Sequence, residues 1–562
     1  MKKIFRYIAA VSVALASVSC LELDPKEQLA DPDLWSKSGD FQAFSNKFYD
    51  WLPNFDMVYS GTIHADKHSD ILRDRNSTPD EVSAGINTVP ASDGDYTGNY
   101  DHIRRCCLLL EKAAGYANQA EIAQSVGEAY FFRAWCYFYL VQKFGNVIIV
   151  NHSLDTDDPL LYSQRNDRSE VVDFIISDLN NAISCLKPAA ELEEGRISRE
   201  GAQAFLGRVA LFEGTWQKFR GNTARATDLL DISAKASKAV IDGGKFQLFY
   251  NTTLGETSLK YLFILEDVQS NPAGLKKDAN KEYIVKRCFH PTLKTIGKNV
   301  NTEVLANAQY VSAKFANLYL CTNGLPIENS NGMFKGYDKP TSEWQNRDLR
   351  MKTTLMAPGQ YYFTNSAENS RLDWSGSDAE LARAKYQPSW NSGALYFPQK
   401  WATEREVIDG DQSYDFPIIR YAEVLLNYAE AVYERDGQIS DEDLNISLNL
   451  TRTRLNKEMP LLSNAFASAN GLDMRTEIRR ERTVELFNEG FRLDDLKRWK
   501  TAETEMPMDF LGTRNLSGSY TQNADGNNII ETGRRWAEKN YLNPLPIDQL
   551  QLNPNLGQNP GW

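Results

Sequence analysis

The segment from residue 128 to residue 150 is dense in apolar residues on all sides, and it limits the folds that this chain can adopt. A helix of that composition must be buried among other elements. Asn118 and Glu121 form a capping-box pattern before it. Gly145-Asn146 supplies a stop, because both residue types can take the left-handed cap conformation. We therefore predict one long, buried helix from about Asn118 to Gly145.

Two other segments, 196–212 and 420–434, share its alanine-rich apolar face with Arg or Glu at intervals. Further amphipathic segments follow these three, at 168–186, 224–241 and 444–455. Small alanines let paired helices approach closely while large residues interdigitate. The pattern predicts a mainly α fold with a tetratricopeptide-like stack, interrupted by loops. A plain irregular helical domain is the alternative.

The composition and periodicity of the chain change between about 246 and 410. Helical periodicity weakens there, Gly, Asn, Ser and Pro increase, and aromatic residues are frequent. Long loop-rich insertions in compact proteins are usually functional or disordered, and the aromatic content argues against disorder. We therefore expect a large, ordered, loop-rich insertion in the helical scaffold.

The N-terminus has the three parts of an export signal. Lys2, Lys3 and Arg6 precede an apolar stretch over 7–18, and small residues lead to Cys20. That order is typical of a secretory signal, and the apolar stretch is short for a permanent membrane span. A cysteine at the cut resembles the bacterial lipoprotein signal, in which the thiol is lipid-modified. We predict a signal peptide over 1–19 and lipidation of Cys20; ordinary secretion with an incidental cysteine is the alternative.

Composition narrows the classes of partner. The net charge of −13 argues against nucleic acid, whose binding needs clustered Lys and Arg. No later segment has the long uncharged run of a membrane helix. The remaining six cysteines contain no CxxC pair. We expect an extended acidic leader over 20–40, anchored through lipid, before the folded body.

Charged residues between 478 and 499 lie among aliphatic and aromatic ones. We interpret them as ion-paired clamps between packed elements, because buried charges are usually paired. They are Arg479, Arg482, Glu485, Glu489 and Arg492. The proline-rich tail over 541–562 should run extended with one short turn near Asp548.

Enzyme motifs are not evident. The sequence contains no GxSxG, P-loop or dinucleotide fingerprint. His64 and His68 are four residues apart with Asp66 between them, but the glutamate of HExxH is missing. We predict no catalytic residue, no cofactor and no metal site; a weak metal site at the histidine pair and a surface glycoside hydrolase are the alternatives.

Five stretches together resemble the SusD/RagB family of outer-membrane nutrient-uptake lipoproteins. They are the RAxxYFxLVxxFG pattern within 128–150, RSEVVDFIISDL at 168–179, RYAEVLLNYAEA at 420–431, the charged run at 478–499, and the ending NPNLGQNPGW within 541–562. The resemblance implies a single body over 41–562 with helical regions at 41–245 and 411–562 around the insertion. It also implies four tetratricopeptide-like units.

The same resemblance implies a function. Family members bind oligosaccharides at the cell surface and pass them to a SusC-like TonB-dependent transporter in the outer membrane. A peptide-capturing uptake lipoprotein of the RagB type is the alternative within the family. We therefore expect a surface-exposed, lipid-anchored protein of the outer membrane that is not an enzyme.

A sugar receptor needs flat aromatic faces with polar groups beside them. Two stretches, 51–104 and 337–401, supply both. The predicted ligand-binding residues are Asp70, Arg73, Tyr96, Asn99, Tyr100, Trp344, Trp374 and Trp390. Any single ring can instead belong to the core of the insertion.

Overall fold

The computed structural model describes most of the chain after residue 34. The described ranges are 35–55, 62–74, 79–301, 303–304, 309–339, 341–357, 361–365, 370–373, 396–405, 407–408, 410–514 and 521–562. Side chains are described in all of them except 62–64, 361–365 and 370–373. Cys20, Trp374 and Trp390 lie outside the described residues.

Helices make up most of the described secondary structure. In chain order they are α1 (Ser38–Asn46), α2 (Gly94–Ala114), α3 (Gln119–Phe144), α4 (Arg168–Cys185), α5 (Arg199–Lys218), α6 (Thr223–Asp242), α7 (Ser258–Leu262), α8 (Ala313–Leu318), α9 (Leu349–Thr354), α10 (Tyr421–Asp436), α11 (Asp441–Asn445), α12 (Leu448–Arg452), α13 (Asn464–Ala469), α14 (Met474–Glu485), α15 (Arg492–Arg498), α16 (Ala502–Glu505) and α17 (Ile547–Leu552).

The strands form two-stranded antiparallel pairs. They are β1 (Leu72–Asp74) with β3 (Gln309–Val311), β2 (Tyr283–Arg287) with β6 (Phe416–Arg420), β4 (Tyr361–Asn365) with β5 (Ser370–Asp373), and β7 (Phe510–Arg514) with β8 (Asn527–Glu531). Strand β6 leads directly into α10, so the β2–β6 pair fixes where that helix starts.

Helix α3 confirms the prediction of one long buried helix, and Gly145 closes it at φ 75°. The predicted capping box is wrong. The side chain of Asn118 makes no bond to the helix backbone, and its Nδ2 donates instead to Glu121 Oε1 at 2.7 Å. Arg133 in the buried middle of α3 pairs with Asp178 of α4 at 2.8 Å, which compensates its charge.

Successive helices pack on each other in chain order. Helix α2 contacts α3, α3 contacts α4, α4 contacts α5, α5 contacts α6, and α6 contacts α10. Small residues allow the closest of these contacts. A Cβ built on Gly207 of α5 would lie 2.7 Å from the Ser237 hydroxyl of α6, and one on Gly214 would lie 2.9 Å from Leu230. The mainly α, helical-repeat scaffold is confirmed.

Two boundary predictions differ from the structure. The segment 444–455 is not one helix, because Ser447 adopts φ −137° and ψ −101° and separates α11 from α12. The leader is not extended up to residue 40, because α1 already begins at Ser38. The ring of Trp35 packs edge-on against that of Phe41, with 5.0 Å between the ring centroids. This end of the leader therefore packs on the body.

Buried ion pairs join the helices to the strands. Glu485 of α14 accepts from Arg420 at 2.8 Å and from Arg350 at 3.0 Å. Burial would raise the pKa of Glu485, but Arg454, Arg420 and Arg350 lower it to about 2. Arg420 also pairs with Glu489 at 2.8 Å. The predicted role as clamps is confirmed for Glu485 and Glu489 and, through Asp495 and Asp70, for Arg482 and Arg492. Arg479 comes only within 3.9 Å of Glu434.

The C-terminal tail runs along the end of α3. Asn559 donates to the carbonyl oxygen of Phe144 at 3.0 Å and accepts from Arg165 at 2.7 Å. Helix α17 is the short turn predicted near Asp548. The tail therefore satisfies backbone groups that the end of α3 leaves open.

Candidate functional site

A cavity of about 680 Å³ lies beside the N-terminal end of α2. Its walls come from the loop at 50–54, the first turns of α2, the second half of α3 and the segment at 489–495. Asp93 caps α2 by accepting from the backbone N–H of Asp95 and Tyr96, at 2.8 and 3.2 Å. The cavity falls within the usual range for sites that bind small molecules, roughly 300–1,000 Å³.

Stacked rings line one side of the cavity. The ring of Trp51 lies 4.1 Å from that of His102, with 13° between their planes, and 4.5 Å from that of Phe48. Phe48 is fully buried, whereas Trp51 and His102 are partly exposed. Burial lowers the pKa of His102, which favours a neutral imidazole. Because Phe48 and His102 both stack on Trp51, the flat surface that this stack offers to the cavity is the outer face of the uncharged His102 ring.

Helix α3 adds aromatic residues to the cavity wall. Trp135 and Tyr139 both line the cavity, and their rings are 5.9 Å apart. Burial raises the pKa of Tyr139, so its phenol stays protonated and can donate a hydrogen bond. In the last turns of α3 only Tyr139, Gln142 and Lys143 are partly exposed, whereas Leu140, Val141 and Phe144 stay in the core.

Polar groups surround these rings. Asp95 forms an ion pair with Lys143, and Asn99 Nδ2 donates to the carbonyl oxygen of Asp95 at 2.6 Å. On the other side Gln142 donates to Asp494 at 3.0 Å. Burial raises the pKa of Asp494. Hydrogen-bonding groups thus follow the edge of the aromatic surface.

The deeper wall is built of paired charges. Arg208 makes two bonds of 2.6 Å to the carboxylate of Glu423. Arg498 binds Glu430 with bonds of 2.5 and 2.7 Å. Burial would raise the pKa of Glu430, but Arg498 and Arg482 hold it at about 2. Bidentate pairs of this kind fix the wall and leave little of its charge for a ligand.

Three of the predicted ligand-binding residues are in α2, where the rings of Tyr96 and Tyr100 contact each other at 5.2 Å. Asn99 lines the cavity. Tyr96 is only 3% exposed and packs edge-on against Phe144 at 5.1 Å. Tyr100 donates to the carbonyl of Ile148 and accepts from its N–H, both at 3.0 Å. Among these three, the structure brings only Asn99 to the cavity wall, and the two tyrosines fix the position of α2.

Asp70 and Arg73 lie in the interior and do not line the cavity. Both oxygens of Asp70 accept from Arg492 at 2.8 Å, and Lys314 lies 2.6 Å away. Burial would raise the pKa of Asp70, but Arg492 and Lys314 hold it well below its usual range. Arg73 lies 3.4 Å from Glu531. These buried, paired positions give both residues a structural role.

Trp344 is also part of a core. It is 4% exposed and lies 6.4 Å from Tyr396, in a cluster with Met351 and Leu355. This packing covers its ring. Trp374 and Trp390 lie outside the described residues.

The sequence analysis did not select His102, whose ring lies against Trp51. His102 is three residues after Asn99, so the two share a face of α2, and that spacing was a usable signal. The contributions of Gln142 and Lys143 were hidden, because α3 was predicted to be buried throughout its length.

Within the described ranges, no helix is both long and apolar enough to cross a bilayer. In that same part of the chain, no three His, Cys, Asp or Glu side chains gather in a metal-binding group. His68 pairs with Asp80 at 2.9 Å, and Asp66 accepts from the backbone N–H of Arg492 at 3.1 Å.

Two family models match this chain. One, described as the SusD family, matches residues 270–562. The other, described as starch-binding associating with outer membrane, matches residues 55–211. The second range contains α2 and α3, which form two walls of the cavity.

Curated relatives carry SusD-like names. A SusD-like protein of Bacteroides ovatus is 24% identical over 414 residues, covering 72% of this chain and 65% of the relative. A second, from Formosa agariphila, is 24% identical over 462 residues, covering 80% of this chain and 76% of the relative. The match therefore spans slightly less than two thirds of the Bacteroides ovatus protein.

Solved structures share the fold. A SusD-like carbohydrate-binding protein from Bacteroides fragilis superposes with a TM-score of 0.73 at 19% identity, covering 93% of this chain and 100% of the other. A surface glycan-binding protein A from Bacteroides fluxus gives a TM-score of 0.59 at 18% identity, covering 94% and 100%. At these identities the likeness concerns the fold alone.

Proposed function

Because the chain belongs to the SusD family, we propose that it is a glycan-binding uptake protein whose ligand occupies the cavity beside Trp51. Names of similar proteins support the class of ligand. One neighbour in fold is described as a carbohydrate-binding protein and another as a surface glycan-binding protein.

The stack of Trp51 and His102 is the observation that carries the proposal. A sugar ring presents apolar C–H faces and a rim of hydroxyl groups, so it suits a flat ring surface with polar neighbours. Asn99 lies one turn from His102, and Gln142 lies on the facing helix. The cavity offers both kinds of contact in one place.

Delivery to a transporter is the second part of the proposal. A SusC-like TonB-dependent transporter of the outer membrane would receive the bound glycan, and a lipid on Cys20 would hold the protein at the cell surface. The family model described as starch-binding associating with outer membrane supports the location. A pull-down from detergent extract should return a large barrel protein, and its absence would count against this part.

Binding without turnover fits the charges of the cavity. Glycoside hydrolysis needs two carboxylates at a defined separation, one of them able to act as an acid. Here Asp95 is paired with Lys143 and Glu423 with Arg208, so both are already engaged. Asp50 and Asp494 are the wall carboxylates without such a close partner, and incubation with oligosaccharide tests them: we expect the oligosaccharide to keep its length.

A glycan array tests the proposal directly. We expect full-length protein in detergent to bind at least one oligosaccharide saturably, and a peptide library screened in parallel to show no comparable binding. Tight peptide binding with no glycan binding would replace the proposal with peptide capture, which would use backbone pairing in a groove.

A further inference from the structure

The cavity wall carries as many acidic as basic side chains, six of each. Every basic side chain in the wall has a carboxylate partner within 4 Å. The pairs are Lys67 with Asp74, Lys143 with Asp95, Arg208 with Glu423, Arg420 with Glu282, Arg482 with Asp495, and Arg498 with Glu430.

These pairs are held in place by the fold. The side chains of Arg208, Arg420, Arg482 and Arg498 are at most 14% exposed, so water screens their pairs little. Lys143 is the most accessible cation of the wall, at 33% exposure, and its partner Asp95 is 57% exposed. A ligand anion would have to compete with a carboxylate that is already present.

Two carboxylates of the wall have fewer or longer contacts with donors and cations than the paired ones. Among the described residues, Gln142 is the side chain that donates to Asp494, at 3.0 Å. Asp50 lies 3.7 Å from Arg287 and 3.8 Å from Lys294, which are long for ion pairs. Both carboxylates line the cavity and can accept bonds from hydroxyl groups.

We infer that the cavity selects uncharged oligosaccharides and rejects those that carry uronate or sulphate groups. This inference rests on the proposed function. An anionic sugar would lose its hydration and meet cations that are already neutralised, so its charge would be poorly compensated. A neutral sugar can donate its hydroxyl groups to Asp50 and Asp494.

Matched glycans test the inference on full-length protein in detergent. The probes are dextran and dextran sulphate, and homogalacturonan in its methyl-esterified and free-acid forms, together with a broad glycan array. We expect array hits to be neutral glycans, and an acidic form to bind at least about tenfold more weakly than its neutral counterpart. Acidic forms that bind as tightly as neutral ones would overturn the inference and leave the proposed function standing.

The Asp95→Asn variant sharpens the test, because it leaves Lys143 without its carboxylate. We expect the ratio of acidic to neutral affinity to rise by about fivefold, and the gain to disappear at high salt. Asp101→Asn is the matched control, since Asp101 forms an exposed pair with Arg105 on the same helix at 3.0 Å and does not line the cavity. An unchanged ratio in Asp95→Asn would overturn the inference, whereas loss of all glycan binding by wild-type protein would overturn the proposed function.

Discussion

Asp70 accepts both of its 2.8 Å bonds from the guanidinium group of Arg492, although 422 residues separate them in the chain. The pair ties the segment before β1 to the start of α15. Asp66, four residues earlier, accepts from the backbone N–H of the same arginine at 3.1 Å. The wall of the cavity at 489–495 is therefore fixed by residues from near the start of the body.

Asp70→Asn should destabilise the protein by about 3–5 kcal/mol, because it leaves Arg492 buried without its carboxylate. Urea unfolding followed by tryptophan fluorescence measures this loss. Asp101→Asn, which removes an exposed pair, should change stability by no more than about 0.5 kcal/mol. Equal effects of the two substitutions would show that the buried pair has no special role.

Acid should unfold the protein between pH 4.5 and 2. The pKa values of Glu430 and Glu485 are lowered in the fold from 4.5 to about 2, so their stabilisation is complete above the unfolded value and is lost as pH falls. Each contributes on the order of 3 kcal/mol. Denaturant titrations at pH 5, 4 and 3 check this, and a stability that stays constant over that range would contradict it. Glu430→Gln should reduce the slope.

His102→Ala should weaken glycan binding by about tenfold or more, because it removes one of the two stacked rings. Calorimetric titration with the best glycan from the array measures the change. His152→Ala is the control, since the His152 side chain is 44% exposed, pairs with Asp158 at 2.7 Å and does not line the cavity. Circular dichroism should show the same helical content in both variants. Undiminished affinity in His102→Ala would place the ligand elsewhere.

Gly145→Ala should destabilise the protein by about 1–2 kcal/mol, because Gly145 has φ 75° and L-residues disfavour that region. A Cβ there would also lie 2.8 Å from a methyl carbon of Leu542. Thermal unfolding gives the comparison with Gly39→Ala, in helix α1, where open space surrounds the site. The control should be neutral or stabilising by up to about 1 kcal/mol. Equal melting temperatures would contradict the prediction.

The scaffold could be predicted from local pattern. The density of apolar residues over 128–150 and the glycine at its end determine α3, and alanine-rich faces determine α5 and α10. These signals come from residues within one or two helical turns of each other, so they can be recognised in a single sequence. The break at Ser447 was not visible, since 444–455 keeps its apolar spacing across it.

The candidate site was predicted less well. Asn99, selected as a polar residue near aromatic ones, lines the cavity, and its contact with a ligand stays a prediction. Asp70 and Arg73 also have polar and aromatic residues near them in the sequence. Their ion-pair partners, Arg492 and Glu531, are more than 400 residues away in the chain. Sequence composition does not tell a paired, buried charge from one that meets a ligand; that difference depends on long-range packing.

The bond from Asn559 to the carbonyl oxygen of Phe144 joins the end of α3 to a segment more than 400 residues further along the chain. Trp562 donates to the carbonyl oxygens of Lys539 and Leu542, which holds that segment in its folded-back course. Gln142 and Lys143 lie in the last turns of α3 and line the cavity, so a substitution at Asn559 should alter ligand affinity from a distance.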